Sequence, residues 1–287
     1  MFMEEMYKDF TLLVDGKEAF PEIINCINNA KKSININMFI WRDDHIGNEI
    51  GKAILEAANR GVKVNISVDR YGVVLEKAEE NKKSFFHKKQ TLIEKIKSKA
   101  LEIIYPKKNT PKVKKDVCSD LYKAIMEHEN ISVDRHYKED HSKYFIFDDE
   151  IVIMGGINIE DKENDQDKEW RVYQDYMIKL EGKEHAKAFI HKLETGENLG
   201  MDYYFGINKK GLYEDIFEME DIYLDLIRKT KKELIITMAY FSGLEKFIKE
   251  ILDAKKRGVN VSIMIPRSAN YQDDSNKATM KKINGIV

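Results

Sequence analysis

The spacing of apolar and polar residues predicts a strand–helix–strand unit near the start of the chain. Apolar side chains recur at every second position over residues 34–40, at Ile34, Ile36, Met38 and Ile40, which is the period of a β-strand. Residues 46–59 then repeat apolar positions three and four apart, as an amphipathic helix does, and Gly61 ends that helix before a second β-branched run. A helix that joins neighbouring strands in this way makes them parallel, and we expect the first strand to be buried on both faces of a sheet.

The same unit recurs near the end of the chain, so the sequence predicts an α/β fold with two related lobes. A strand is expected at 234–240, a helix at 244–256 and a closing glycine at Gly258. Lys-Lys precedes the first strand in both copies, and Arg-Gly-Val-x-Val opens the last strand in both. Two unrelated βαβ units in one sheet are the alternative, but the shared residues at nearly constant offset favour a duplication. We expect the first lobe at 1–200 and the second at 201–287.

A lysine-rich insertion interrupts the first copy. Segments 123–131 and 277–286 also resemble each other. The difference in residue number between them is smaller than that between the repeated strands, so the first copy must contain extra residues. We place these extra residues at about 76–115. That stretch holds 13 lysines and 5 glutamates in a mostly helical pattern. Such a run is typical of a solvated helical excursion, and a basic flap that meets phosphate groups is the alternative.

A predicted hairpin at 141–158 collects three polar side chains at one end. Two apolar strands flank the acidic turn 148–150. Because side chains alternate along a strand, His141 and Lys143 point to the same side. The returning strand brings Asn158 toward the same end, past a Gly-Gly pair that permits close approach of the backbone.

These three side chains suit chemistry at a phosphodiester. A neutral imidazole can attack phosphorus and form a covalent phosphoramidate, which divides one difficult substitution into two. An ammonium group and an amide can stabilise the charge that develops on the non-bridging oxygens. A second imidazole is needed to protonate the leaving alcohol and then to activate the incoming one.

The hairpin resembles the signature of the phospholipase D superfamily, His-x-Lys-x4-Asp-x6-Gly-Gly/Ser-x-Asn. Every position of that signature is matched, with the spacing intact, by His141, Lys143, Asp148, Gly155, Gly156 and Asn158. Within the superfamily the chain looks most like the bacterial cardiolipin synthase branch, with further similar residues at 39–47, 155–159 and 263–266. The resemblance implies the phospholipase D-like α/β/α sandwich, here as duplicated lobes of which the second is incomplete.

The resemblance also implies a role for the matched residues. His141 is the expected nucleophile, and Lys143 and Asn158 are the expected phosphate ligands. Asp148 also matches the signature and begins the turn of the hairpin. We favour a structural role for Asp148, in holding the hairpin, over a direct role in catalysis.

Supporting groups are implied around these residues. The family's imidazole is oriented by a carboxylate further along the chain, for which Asp175 is the first candidate and Glu169 the second. Gly155 and Gly156 are expected to line the site through their backbone. No cofactor and no metal site are expected, because the other histidines show no ligand spacing with cysteine or carboxylate.

The implied activity is phosphodiester hydrolysis or phosphatidyl transfer on an anionic phospholipid. A phospholipase D-type nuclease is the alternative, because one fold hosts both activities. The acidic balance of the chain outside the lysine-rich insertion weighs against it, since binding of nucleic acid depends on neutralising phosphates. A catalytically inactive remnant that still binds phosphate is the third hypothesis.

The second copy stops before its own motif. By the register of the repeat, the second His-x-Lys would follow a few residues beyond Val287. A second chain that supplies this motif, either as a symmetric copy or as a separate polypeptide, would complete the site. We favour a truncated chain or a split gene, because the partial second lobe occupies the place where a partner's first lobe would dock.

The composition indicates a cytoplasmic protein. Cys26 and Cys118 lie far apart in a chain with no other cysteine, and we expect two buried thiols in a reducing compartment. The apolar runs are strand-sized and fall short of the roughly 20 residues that a membrane-spanning helix needs. Contact with the membrane is expected to be peripheral at most, at its inner face.

Overall fold

The chain divides into two compact units, the first reaching Phe205 and the second starting at Gly206. The computed structural model describes residues 9–72, 84–86, 92–93, 95–97, 99, 119–136, 140–164, 174–209, 216–241, 245–267 and 273–285. Each unit has its own sheet and its own hydrophobic core. Both units combine helices with strands, which confirms the predicted α/β class.

A mixed sheet of seven strands forms the centre of the first unit. Its strands are β1 (Phe10–Val14), β2 (Ser33–Met38), β3 (Lys63–Val68), β4 (Ile131–Asp134), β5 (Lys143–Phe147), β6 (Ile151–Gly155) and β7 (Tyr176–Glu181). They lie in the order β1-β7-β6-β5-β2-β3-β4. The pairs β2–β3 and β3–β4 are parallel, and all other neighbours are antiparallel. The parallel β2–β3 pair confirms the first predicted βαβ unit, and the β5–β6 pair confirms the predicted hairpin.

Helices cover both faces of this sheet. They are α1 (Asp15–Asn29), α2 (His45–Asn59), α3 (Asp120–Glu127) and α4 (Lys183–Thr195), with a 3-10 helix at Asp161–Asn164. Because side chains alternate along a strand, Phe145 and Phe147 of β5 enter the core under α1 and α2, whereas Ile146 enters the core under α4. The first unit is therefore the predicted α/β/α sandwich.

The start of α2 is joined to the loop that follows β6. The Asp44 carboxylate accepts a hydrogen bond from the Gly47 N–H (3.0 Å) and so caps the helix. The Asp161 carboxylate accepts from the N–H groups of His45 (3.1 Å) and Ile46 (2.8 Å). The Asp161 N–H in turn donates to Asp44 (2.8 Å). These bonds hold the 3-10 helix against α2.

The second unit repeats the βαβ arrangement on a smaller scale. Its elements are the short strands β8 (Asn208–Lys209) and β9 (Ile216–Phe217), then α5 (Glu218–Lys229), β10 (Glu233–Thr237), α6 (Glu245–Lys256), β11 (Asn260–Met264) and α7 (Asp273–Ile283). β10 and β11 are parallel, which confirms the second predicted βαβ unit. The three helices pack on one face of this pair of strands, and the opposite face exposes Ile235 and Met264.

The two βαβ units also agree in their hydrogen bonds. Arg60 donates to the last carbonyls of α1 (2.9 and 3.0 Å), and Arg257 donates to the last carbonyls of α5 (3.0 and 3.2 Å). The next residues, Gly61 and Gly258, adopt φ of +94° and +85°, which glycine tolerates without strain. The shared sequence therefore forms the same local structure in both copies.

The first strand of the first βαβ unit, β2, is buried along one face but only in part along the other, where Asn35 is partly buried. β3 is buried on one face only, because on its other face the amides of Asn65 and Asn35 bond to each other in an exposed position (2.9 Å). Within the predicted lysine-rich insertion, Phe85 and Phe86 are not solvated but buried against the fully buried Trp41. Aromatic area removed from water fixes this short part of the stretch to the core. Most of 76–115 lies outside the described residues.

No helix within the described ranges is both long and apolar enough to cross a bilayer. The Cys26 thiol is buried, as expected, and Cys118 lies outside the described residues.

Candidate active site

Polar side chains gather at one end of the seven-stranded sheet. β2 and β6 end there and β5 and β7 begin there, because β5 and β7 run antiparallel to these neighbours. His141 and Lys143 lie at the start of β5, Asn158 follows β6, Asp175 precedes β7 and Phe39 follows β2. The sheet therefore brings together residues that are far apart in the sequence.

The imidazole of His141 and the ammonium group of Lys143 are in contact. The Lys143 Nζ lies 2.9 Å from His141 Nδ1 and donates to the His141 carbonyl oxygen at 2.6 Å. The Phe39 ring packs against the imidazole with 4.2 Å between centroids, and Lys143 Nζ lies 5.4 Å from the same ring. Lys143 is 4% exposed, whereas His141 is exposed. A buried cation thus supports an imidazole that a substrate can reach.

Desolvation lowers the pKa of both groups. It brings the pKa of His141 to about 4, and the charge of Lys143 contributes to this shift. The pKa of Lys143 falls to about 8, because desolvation outweighs the attraction of carboxylates such as Asp175. At pH 7 the imidazole is therefore neutral and the ammonium group largely keeps its proton. The pair offers a nucleophile and a cation at the same pH.

The short loop that carries His141 is held by side chains from β2 and from the end of β3. The Asp140 N–H donates to the Asp69 carboxylate (2.8 Å). The Asp140 carboxylate accepts from the Asn37 amide (3.1 Å) and from the Ser142 N–H (2.9 Å). Asn37 also donates to the Ser142 carbonyl oxygen (3.0 Å). Asn37 and Asp69 are buried, so these bonds form where water competes little.

Asn158 is oriented by the loop that follows β2. Its Oδ1 accepts a hydrogen bond from the Ile40 N–H at 3.2 Å. The two loops continue to pair beyond their strands, since the Ile159 N–H donates to Ile40 (3.1 Å) and the Arg42 N–H donates to Ile159 (2.9 Å). An amide whose oxygen is engaged in this way keeps its NH2 group as the donor for a ligand.

The glycine pair lets the start of β7 approach β6 closely. A Cβ on Gly156 would lie 2.1 Å from the Asp175 carboxylate, and one on Gly155 would lie 2.2 Å from the Tyr176 carbonyl oxygen. The Asp175 carboxylate accepts from the Tyr176 N–H at 2.7 Å. Desolvation raises the pKa of Asp175, and the nearby charge of Lys143 partly offsets this effect.

Buried charged side chains follow Asn158 along the chain. Glu160 pairs with Arg42 (2.7 Å) and with Lys162 (3.2 Å), and all three are at most 7% exposed. Glu163 is also buried and accepts a hydrogen bond from the Asn158 backbone N–H. Desolvation, followed by the charge of Glu160, raises the pKa of Glu163 to about 8. Burial therefore favours the protonated form of Glu163.

Asp148 lies at the other end of β5. Its carboxylate accepts from the backbone N–H groups of Lys31 (2.9 Å), Lys32 (2.7 Å) and Ser33 (2.9 Å). Desolvation raises the pKa of Asp148, but these bonds outweigh it and the pKa is lowered overall. Asp148 and Asp149 both adopt a positive φ, of +54° and +55°. These contacts attach the turn of the hairpin to the start of β2.

The structure thus groups most of the predicted site. It brings together His141, Lys143, Gly155, Gly156, Asn158 and Asp175. Asp148 is separated from them by β5, and Glu169 lies outside the described residues. Residues that contact the site but were not predicted are Asn37, Phe39, Asp69, Asp140 and Glu163. Asn37 had a signal as a polar residue within an apolar strand, and Phe39 had one as part of the stretch 39–47 that resembles the cardiolipin synthases.

Comparisons with known proteins agree with this geometry. The family model described as "Cardiolipin synthase, PLD-like domain" matches residues 23–194 and 223–286. Cardiolipin synthase of Clostridium perfringens (strain 13 / Type A) is 25% identical over 288 residues, which cover 92% of this chain and 54% of that protein. Cardiolipin synthase B of Escherichia coli (strain K12) is 22% identical over 286 residues, which cover 88% of this chain and 59% of that protein. The chain therefore spans little more than half the length of these relatives.

A solved structure shares the fold. Phosphatidylserine synthase from Haemophilus influenzae Rd KW20 matches with a TM-score of 0.60 and 17% sequence identity, covering 90% of this chain and 61% of that one. At this identity the likeness concerns the fold alone. The family match includes the hairpin with His141, Lys143 and Asn158, as well as both βαβ units. The chain therefore belongs to the phospholipase D-like domain family of the cardiolipin synthases.

Proposed function

We propose that this chain transfers or hydrolyses the phosphatidyl group of an anionic phospholipid through a phosphohistidine at His141. The observation that carries the proposal is the contact between a neutral imidazole and the buried ammonium group of Lys143. Asn158 adds an amide donor at the same end of the sheet. Relatives that are named cardiolipin synthases support a phospholipid as the substrate.

The proposed reaction is a double displacement. The imidazole nitrogen attacks phosphorus, the P–N bond forms, and the bond from phosphorus to the leaving alcohol breaks. The leaving oxygen takes a proton from a second imidazole, which then removes the proton of the incoming alcohol or water. That oxygen attacks phosphorus and the P–N bond breaks. Lys143 and Asn158 stabilise the charge on the non-bridging oxygens in both steps.

Substrate binding is proposed to change the hydrogen bond of Lys143. In the free protein Lys143 donates to Nδ1, so a neutral ring carries its proton on Nε2. A phosphate oxygen that accepts from Lys143 releases Nδ1, which then takes the proton and leaves Nε2 as the nucleophile. Asp175 is the carboxylate that we propose for orienting the protonated Nδ1, and Glu169 is the second candidate.

We propose that a second chain supplies the second imidazole, because one His-x-Lys hairpin provides one imidazole and the reaction uses two. We also propose that the chain works at the cytoplasmic face of the membrane. There the lysines of 76–115 would attract anionic headgroups.

The role of His141 can be tested without the second imidazole. Bis(p-nitrophenyl) phosphate releases a phenolate that leaves without being protonated. We expect the purified chain to release a burst approaching one nitrophenolate per chain and to hold an alkali-stable phosphoryl adduct on His141, detected by mass spectrometry. His141→Asn should abolish both signals, and the control His191→Asn on α4 should retain both. A wild-type burst from His141→Asn would refute the proposed nucleophile.

The class of substrate can be identified by testing which candidate substrate competes with bis(p-nitrophenyl) phosphate and slows the burst. We expect vesicles of phosphatidylglycerol to slow the burst, and single-stranded DNA to leave it unchanged. Slowing by DNA alone would reject the lipid substrate and favour the nuclease alternative.

A further inference from the structure

We infer that Asp9, Glu184 and His185 form a binding site for a divalent metal ion, and zinc is the metal that these ligands fit best. The site is independent of the proposed function, because it lies at the far end of β7 from the active site. The Glu181 N–H, at the end of β7, donates to the Asp9 carbonyl oxygen (2.9 Å), and α4 starts two residues later.

The three side chains offer one ligand atom each at short range. His185 Nε2 lies 3.9 Å from Asp9 Oδ2 and 3.9 Å from Glu184 Oε1, and all three atoms lie within 4.8 Å of one another. The point in the plane of the three atoms that is equidistant from them lies at most about 2.5 Å from each. Zinc bonds to nitrogen and oxygen are about 2.0–2.2 Å long. A shift of a few tenths of an ångström would therefore bring all three atoms to bonding distance.

The hydrogen bonding of His185 leaves a lone pair for the metal. The ring is 7% exposed, and its Nδ1 lies 2.5 Å from the Tyr203 hydroxyl group. Nε2 is buried and has no hydrogen-bond partner among the described residues. In the tautomer that donates Nδ1–H to the Tyr203 hydroxyl group, the Nε2 lone pair faces the carboxylates of Asp9 and Glu184. Three acceptors that face one another without a donor repel each other unless a cation lies between them.

Neighbouring residues shape the site for this cation. A Cβ on Gly182 would lie 2.8 Å from Glu184 Oε1 and 3.1 Å from the His185 ring, so the glycine leaves room for both ligands. Phe10 packs edge-on against the His185 ring, with 5.2 Å between centroids. A histidine ligand whose other nitrogen is hydrogen-bonded has its tautomer and orientation fixed, as is usual at metal sites.

The ligand set points to zinc. Zinc binds both imidazole nitrogen and carboxylate oxygen, whereas calcium and magnesium prefer ligands that are all oxygen. Water would complete a tetrahedral site. Asp9 directly precedes the edge strand β1, and Glu184 and His185 lie in the first turn of α4. The ion would therefore fasten the edge of the sheet to α4 and stabilise the fold.

The test is zinc binding to the full chain after dialysis against a chelator. We expect calorimetry to give one strong site per chain. At a free zinc concentration one hundred times the Kd, the melting temperature should rise by about 5–10 °C. Asp9→Asn and Glu184→Gln should each weaken binding by at least about tenfold. Both replacements keep the size of the side chain, and neither residue is buried.

A matched control comes from another histidine and carboxylate at the same separation. His45 Nδ1 lies 3.9 Å from Glu49 Oε2, but both side chains are exposed. The double variant His45→Gln, Glu49→Gln should bind zinc as the wild type does. The inference is overturned if the wild-type chain shows no strong site, or if Asp9→Asn and Glu184→Gln bind zinc as tightly as this control. The nitrophenolate burst should stay unchanged in all of these variants, which keeps the result separate from the role of His141.

Discussion

Desolvation acts in the same direction on both basic groups of the motif, but with different consequences. It disfavours the protonated form of His141 and of Lys143. The imidazole starts from a pKa near neutrality and becomes uncharged, whereas the ammonium group starts about four units higher and stays charged at pH 7. The carboxylates of Asp175 and Asp140 help to keep Lys143 protonated. The chemical identity of each residue thus decides which group can attack and which can neutralise charge.

The titration of His141 is the prediction at this scale. Its pKa is lowered, so the ring should lose its proton as the pH rises past about 4 and should be neutral from there upward. Nuclear magnetic resonance of chain labelled at histidine would measure the midpoint, and His141→Gln would identify the signal by its loss. A midpoint above the ordinary value of 6.5 for histidine would contradict the prediction.

At the scale of elements, the site depends on loops that stay paired after their strands have ended. The bonds of Ile40 and Arg42 with Asn158 and Ile159 extend the pairing between the segments after β2 and β6. On the other side of β6 the glycine pair admits the start of β7. The positions of Asn158 and Asp175 are therefore properties of packed loops and not of the motif alone.

The two glycines should respond differently to substitution. Gly156→Ala meets the movable carboxylate of Asp175, so we expect the nitrophenolate burst to slow by about 10–100-fold, with a small loss of stability. Gly155→Ala meets the backbone at Tyr176 and Met177, which cannot give way, so the free energy of unfolding should fall by about 1–3 kcal/mol.

Urea unfolding and burst kinetics would measure the two effects. Gly200→Ala is the control, because a Cβ there meets no atom within 4 Å, and it should change stability by no more than about 0.5 kcal/mol. A wild-type burst rate in Gly156→Ala would show that the position of Asp175 has no influence on His141.

At the scale of the whole molecule, two units each have a separate hydrophobic core. The sheet of the first unit is covered by helices on both faces, whereas β10 and β11 are covered on one. Each unit also has its own arginine, Arg60 or Arg257, which binds the last carbonyls of the preceding helix.

We expect each arginine to stabilise its own unit. Hydrogen bonds from a charged group contribute about 1.5–3 kcal/mol, so Arg60→Ala should speed amide hydrogen exchange in β2 and β3, and Arg257→Ala should do so in β10 and β11. Exchange followed by mass spectrometry would locate the change. Lys256→Ala removes an exposed pair with Asp253 and should have little effect on exchange. Equal acceleration in both units by either arginine variant would show that they unfold as one.

The sequence by itself determined the local structure and the residues of the His-x-Lys motif. The hairpin strands, the helix of each βαβ unit and the helix-ending glycines appear where their patterns predict them. A period of two or of 3.6 residues and the spacing of a motif depend on neighbours along the chain, and these are visible in the sequence. The strand expected at 234–240 extends only over Glu233–Thr237, because the boundary of an element depends on its partners.

Only the tertiary structure decided which distant residues meet. The bonds that join Asn37 and Asp69 to Asp140, and the grouping of Asp9 with His185, connect positions that no local pattern relates. Such contacts arise when strands from different parts of the chain end at the same side of a sheet. Burial and neighbouring charge then set the protonation of each group. The spacing of His141 and Lys143 predicts the chemistry, whereas packing makes the imidazole neutral and leaves the ammonium group charged.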